Sequence, residues 1–263
     1  MRVQRFSRLA VVSAFAIGIL VGPPVAQATH ADPAALPDLQ MAPPTDFSIE
    51  RRPHGVRWLR FETTVVNRGT GAFEVYGFNT GADADGTADG LYDYAVTQRI
   101  QDSSTSGWAD HPTAATMFFQ GDGHNHWHVE GLQLWQLSFS RTIDQPSDVL
   151  RTGRKIGFCF WDNYRLPGAG SAVYHPSTTS ACVKTATNIV PMGLSVGWGD
   201  TYPATIAFQY VDITGLPYGD YWLTVTADPD GEFVEANESN NTTQVQIRIS
   251  RKGVTVLETP PWP

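Results

Sequence analysis

Three histidines at alternate positions, in the run His124-Asn125-His126-Trp127-His128, are the residues of this chain best suited to chemistry. In a β-strand successive side chains leave opposite faces, so all three imidazoles would share one face. Neutral imidazole is a borderline ligand that suits copper, zinc, iron or nickel, and three of them leave positions open to water, oxygen or a substrate. A closed structural zinc site would draw on several cysteines, and the chain has only Cys159 and Cys182. The spacing therefore predicts a reactive metal centre on a strand, with a metal-free histidine cluster as the competing reading. A second set of ligand-type residues is acidic. Asp228-Pro229-Asp230-Gly231-Glu232, followed by Glu235, Asn237, Glu238, Asn240 and Asn241, offers hard oxygens that fit either calcium or a solvated hairpin loop. The stretch from Gly81 to Gly90 carries Asp83, Asp85 and Asp89 but lacks the acidic residue that closes an EF-hand, and reads as a solvated loop.

Strands must position these groups. Val56 to Val66 is rich in β-branched and aromatic residues, Gly69-Thr70-Gly71 makes a turn, and Ala72 to Phe78 follows as a second run. Further strand-like segments are His124 to Phe139, Lys155 to Trp161, Thr205 to Thr214, Asp220 to Ala227 and Thr243 to Ile249. No segment keeps helical periodicity long enough for a stable helix. The expected fold is all-β: a single β-sandwich-like domain with long loops.

The N-terminus reads as a processing signal. Arg2, Arg5 and Arg8 precede an apolar run from Leu9 to Gly22, and Ala26-Gln27-Ala28 offers a small-residue cleavage site. The run is shorter than the ~18 residues of a spanning helix, so release is expected rather than anchoring. The expected organisation is a signal peptide over 1–28, a Pro- and Ala-rich tether over 29–45, a catalytic domain over 46–252 and a tail over 253–263. Export would put Cys159 and Cys182 in an oxidising compartment, where one disulfide is expected, with two buried thiols as the alternative. Loss of the three arginines would take the net charge from −8 to about −11. Such a surface repels nucleic acid and either steers cationic partners such as amines toward it or serves solubility alone.

Downstream of the histidines come Lys155-Ile156-Gly157-Phe158-Cys159, Gly199-Asp200-Thr201-Tyr202, Tyr210-Val211-Asp212-Ile213-Thr214 and Gly219-Asp220-Tyr221. With Trp58-Leu59-Arg60-Phe61 and Val66-Asn67-Arg68-Gly69-Thr70 upstream, and Glu235 to Asn241 near the end, this order resembles the catalytic domain of the lysyl oxidase family. The resemblance implies a secreted copper-dependent amine oxidase whose cofactor is built from its own side chains. Copper(II) would be held by His124, His126 and His128, and Lys155 and Tyr202 would be the two halves of a lysine tyrosylquinone. The partners implied are a primary amine, either a protein lysine or a small amine, and O2, with aldehyde, ammonia and hydrogen peroxide released. No nucleic acid or lasting membrane association is expected. Lys155 must be neutral to act as a nucleophile, and an arginine could not replace it because guanidinium stays charged. Asp200 is a candidate for the general base or for orienting the quinone, against the simpler reading of a turn cap. The resemblance also carries a calcium site onto Glu235, Asn237, Asn240 and Asn241, closed by Asp38 and the backbone of Leu39.

The stretch Phe119-Gln120-Gly121-Asp122-Gly123 lacks the Trp, extra His and Cys that animal members carry there, and Trp135 stands where a further His would follow. Most of the family's disulfide cysteines are missing as well, so the likeness is to the short bacterial members. Two other readings compete. Thr205 to Ile249 also looks like an exported adhesion-type sandwich, so a non-catalytic secreted copper-binding protein is the main alternative. His124, His126 and Glu130 imitate part of a cupin motif, but His175 is the only histidine beyond His128 and lacks the context of a second motif.

Overall fold

Strands form where β-branched and aromatic residues concentrate, and glycine, proline and short polar residues punctuate them. The structure, a computed structural model, describes residues 35–78, 94–101, 107–120, 126–174, 182 and 189–262. In chain order the strands are β1 (Leu39–Met41), β2 (Thr45–Arg51), β3 (Arg57–Asn67), β4 (Phe73–Phe78), β5 (Tyr94–Gln101), β6 (Trp108–Gln120), β7 (His126–Ser138) and β8 (Val149–Phe158). They continue with β9 (Tyr164–Arg165), β10 (Ile189–Leu194), β11 (Trp198–Tyr202), β12 (Tyr210–Asp212), β13 (Gly219–Ala227), β14 (Thr242–Ser250) and β15 (Gly253–Glu258). No described helix is long and apolar enough to cross a membrane.

The strands make two antiparallel sheets, and the fold is the expected all-β sandwich-like arrangement. One sheet runs β10-β4-β5-β6-β7-β13-β14-β15, with β8 on the other edge of β7. The second is organised on β3, which pairs with β2 and β12 through its first half and with β1 and β11 through its second, β11 pairing onward to β9. Inward-facing Leu59, Phe61 and Val65 of β3 meet Trp135, Leu137, Leu223 and Val225 in one apolar core. Phe61 lies edge-on to Trp135 at 5.1 Å, a favoured aromatic geometry.

The strand carrying the histidines is divided by a bulge. Glu130 pairs with Gly157 and Gln133 with Lys155, so three steps of β7 oppose two of β8. Gly131 lies inside the bulge at φ +78°, a backbone region that glycine enters without steric cost. Trp127 and Val129 before the bulge, and Leu132, Gln133, Trp135 and Leu137 after it, are buried.

Segments expected at the periphery take part in the sheets. Met41 and Thr45, inside the expected tether, belong to β1 and β2, and the expected tail contains β15. Their strands are short or lie at sheet edges, where propensity is weak and pairing decides. Asn67 shows the tertiary hold: its amide accepts from the backbone N–H of Asp38 (3.1 Å) and Gly69 (3.0 Å) and donates to the carbonyls of Gly71 and Leu194. The lysine strand starts earlier and stops sooner than the sequence predicts, and most of the Thr205–Thr214 segment is a turn-rich connection to the three residues of β12. Cys159 and Cys182 form a disulfide. The loop from Gly81 to Gly90 lies outside the described residues.

Candidate active site and acidic site

Lys155 near the end of β8 and Tyr202 at the end of β11 come from different sheets and meet in the interior. The Lys155 ammonium nitrogen is 4.2 Å from the centroid of the Tyr202 ring and 5.1 Å from that of Phe158. Lys155 is 7 % exposed and Tyr202 9 %, and Phe158 stands edge-on to Tyr202 at 5.0 Å. The ammonium donates one hydrogen bond, 2.7 Å long, to the carbonyl of Gly157. Burial pushes the Lys155 pKa down to about 8, and the Asp200 carboxylate opposes that shift.

Asp200 is fully buried two residues before Tyr202 on β11. Burial raises its pKa well above the usual carboxylate range, against the pull of Tyr202, Lys155 and Asn163. The Tyr202 phenol is likewise pushed up, by burial first and then by the charge of Asp200. Asn163 grips this strand: its amide donates to Asp200 Oδ1 at 2.5 Å and accepts from the Thr201 N–H at 2.7 Å. Oδ2 of Asp200 and the phenol oxygen of Tyr202 are buried, and the two groups shift each other's titration.

His126 and His128 leave the same face of β7, with ring centroids 4.4 Å apart. Trp127 points the other way, packed on Tyr94 at 4.0 Å. His128 stacks on Phe118 of the neighbouring strand at 5.4 Å. On its other side β8 passes closely: a Cβ added to Gly157 would lie 2.7 Å from the His128 Cβ and 2.8 Å from its Cγ. Only glycine leaves the ring its place. His128, Lys155, Gly157, Ile206 and Phe208 line one small cleft of about 20 Å³, which links the histidine face to the lysine. His124 lies outside the described residues.

The acidic residues gather elsewhere, where the loop after β13 meets the start of β1. Glu235 accepts from the Leu39 backbone N–H through Oε2 and from the Asn241 amide at 2.9 Å through Oε1. Asp38 Oδ2 accepts from the Gln40 and Asn240 amides at 2.8 and 3.2 Å. Carboxylate oxygens of Asp228, Glu235 and Glu238 lie within 4.8 Å of one another. Burial pushes the Glu235 pKa up to about 8, with the Glu238 charge adding to it and the Leu39 N–H opposing. Asp38 Oδ1, Asn240 Oδ1 and Asn241 Oδ1 are buried acceptors without partners among the described residues. Asn237 turns its oxygen to Ser239 instead, accepting from that residue's N–H at 3.1 Å and hydroxyl at 2.6 Å.

Residues 95–259 match the lysyl oxidase family. The chain belongs to the lysyl oxidase family. The protein-lysine 6-oxidase of Sus scrofa is 28 % identical over 165 residues, which are 60 % of this chain and 59 % of that protein. The Homo sapiens protein-lysine 6-oxidase is also 28 % identical over 165 residues, but these make up 35 % of its length. Lysyl oxidase homolog 2 of Gallus gallus is 38 % identical over 61 residues, 23 % of this chain and 8 % of that protein. The chain thus matches only part of the length of these relatives. As a lysyl oxidase family member it brings together Lys155 with Tyr202, and Asp38 and Leu39 with Glu235, Asn240 and Asn241. Asn163 and the cleft wall of Ile206 and Phe208 join these sites without having been singled out from sequence. Asp228 was legible as part of an acidic run, but Asn163 carries no local signal.

Proposed function

We propose that this lysyl oxidase family member is a secreted copper- and quinone-dependent amine oxidase, converting primary amines to aldehydes with release of ammonia and hydrogen peroxide. The observation that carries the reading is the approach of the Lys155 nitrogen to the Tyr202 ring, 4.2 Å to its centroid, inside a buried pocket. Nothing in strand packing alone requires a lysine there, since burying an ammonium costs stability. The donors fit copper(II): His126 and His128 offer imidazole nitrogens on one strand face, and His124 is assigned as the third ligand. Copper held by these histidines would supply the redox chemistry with O2 needed to oxidise the Tyr202 phenol.

The residues of the chain supply the rest. A pKa of about 8 leaves an appreciable share of Lys155 neutral near physiological pH, and only the neutral amine is a nucleophile. The hydrogen bond to the Gly157 carbonyl fixes the nitrogen over the Tyr202 ring. Asp200, with its pKa raised and its Oδ2 buried, can take a proton from Lys155 Nζ, or the α-proton of a substrate, and hold it. The walls of the cleft keep bulk water away from these transfers.

Residues 1–28 are assigned as the signal peptide that directs secretion, 29–45 as the tether, 46–252 as the catalytic domain and 253–263 as the tail. We assign calcium to Asp38, the carbonyl of Leu39, Glu235, Asn237, Asn240 and Asn241. The buried unpartnered oxygens of Asp38, Asn240 and Asn241 support that assignment. Asn237 fits it least well, its oxygen being used by Ser239.

Two variants test the activity. Tyr202→Phe keeps the ring but removes its oxygen, and Lys155→Arg keeps a charge but no usable nucleophile. Both should fold and bind copper, yet release no peroxide with primary amines while the wild type does so after aerobic copper loading. Peroxide at wild-type rates from either variant rules the mechanism out, and a wild type inert toward every amine leaves the non-catalytic copper protein.

A further inference from the structure

The loop between β11 and β12 is fixed at both ends to β3. Gln209 is wholly buried, and its amide donates to the Phe61 carbonyl at 3.2 Å and the Thr63 hydroxyl at 2.9 Å. The Arg60 guanidinium donates to the carbonyls of Ala204 and Ile206, both at 3.1 Å. Between these anchors Phe208 adopts φ +60°, a region that bulky L-residues avoid, and the residue is 45 % exposed. Neither backbone preference nor burial accounts for a phenylalanine at this place. Strain of this kind persists only where surrounding contacts impose it, and it clusters at ligand clamps.

Ile206 and Phe208 of this loop line the cleft together with Lys155 and Gly157 of β8. The cleft volume of about 20 Å³ has room for roughly one water molecule, so its width decides what reaches the lysine. Ile206 and Phe208 are apolar parts of its lining, and Lys155 and His128 supply its polar groups. Methylenes can slide along such a lining, and the face of an aromatic ring attracts an approaching ammonium group.

We propose that Phe208, with Ile206, is a specificity-determining residue that admits the slim end of an unbranched primary alkylamine to the Lys155–Tyr202 pair and turns away α-branched and aryl amines. The substrate half of this inference rests on the amine oxidase reading; the narrowing of the path to Lys155 does not. A linear alkylamine and a lysine side chain present the same end to the cleft, so both belong to the class admitted.

The test begins with metal-free full-length protein. Lys155 is labelled with cyanate, a slim reagent, and separately with trinitrobenzenesulfonate, a bulky aryl one, and modification is read by peptide mass mapping. Exposed Lys252, between β14 and β15, is the internal reference. Phe208→Gly relieves the backbone strain and removes the ring, and Ile206→Ala opens the same wall from a second position. Relative to Lys252, both should raise labelling of Lys155 by the bulky reagent about tenfold or more and leave cyanate labelling nearly unchanged. Equal access of the two reagents in the wild type, or no change in either variant, overturns the narrowing. Copper-loaded protein is then compared on n-butylamine and sec-butylamine, where Phe208→Gly should lower the kcat/KM preference for the linear amine about tenfold. An unchanged preference overturns the specificity assignment. A wild type that oxidises neither amine removes the substrate half together with the amine oxidase reading, while the labelling contrast still decides the narrowing.

Discussion

Burying the Lys155 ammonium among aromatic rings costs the folded state stability, and pH reports that cost. Its pKa is about 8 in the fold against an ordinary 10.5, so between those values the unfolded chain holds more protons at this residue than the folded one. By linkage, this residue's contribution to stability rises with pH through that window; below about 8 both states are protonated and the penalty is constant. Metal-free Lys155→Met should therefore be more stable than the wild type at pH 7. The gap should narrow as pH climbs from about 8 toward 10.5, by at most on the order of 3 kcal/mol. Urea midpoints across that range measure it, and a gap that does not change with pH would show that Lys155 is not desolvated. Lys155 and Tyr202 were legible in the sequence only through their ordered motifs, because a single lysine or tyrosine has no local signature of chemistry. Asn163 was not legible at all: its role depends on a loop bringing it to Asp200, a contact that spans 37 residues.

At the scale of strands, the histidine site depends on how closely β8 passes β7. A Cβ on Gly157 would collide with the Cβ and Cγ of His128, so Gly157→Ala must push the imidazole off its place. We expect that variant to keep its strand spectrum and cooperative unfolding, yet bind copper at least about tenfold more weakly, since misplacing a ligand spoils coordination geometry. Metal titration by calorimetry would show it, and wild-type affinity would mean that His128 is no ligand. Enrichment in β-branched and aromatic residues made the long central strands readable, β3, β13 and β14 among them. It failed where pairing rather than pattern builds the strand. β1 has three residues, β12 has three and β9 has two, too few to display a period. The bulge at Gly131 shifts the register of β7 against β8, a pairing change that no side-chain pattern in the sequence marks.

For the molecule as a whole, the acidic site ties the beginning of the fold to the connection between β13 and β14. The Ala236 N–H donates to the Pro37 carbonyl at 2.7 Å, and the Thr243 hydroxyl to the Met41 carbonyl at 2.6 Å. A cation held by Asp38 and Glu235 would fasten the same junction. Calcium added to chelated protein should raise Tm by mass action, equivalent to about 2.7 kcal/mol at a hundredfold excess over Kd, and Glu235→Gln should abolish most of the gain. A flat Tm across the titration would remove calcium from the account. The net charge of −8 suits attraction of cationic amines but does not choose among them. The chemistry at the centre of the account depends instead on one bond between the two sheets. Peptide mapping of the full chain after aerobic copper loading tests that bond most directly. A crosslinked species joining the Lys155 and Tyr202 peptides is expected, absent from metal-free protein and from Lys155→Arg. Recovery of both peptides separately at their unmodified masses from copper-loaded protein would contradict it.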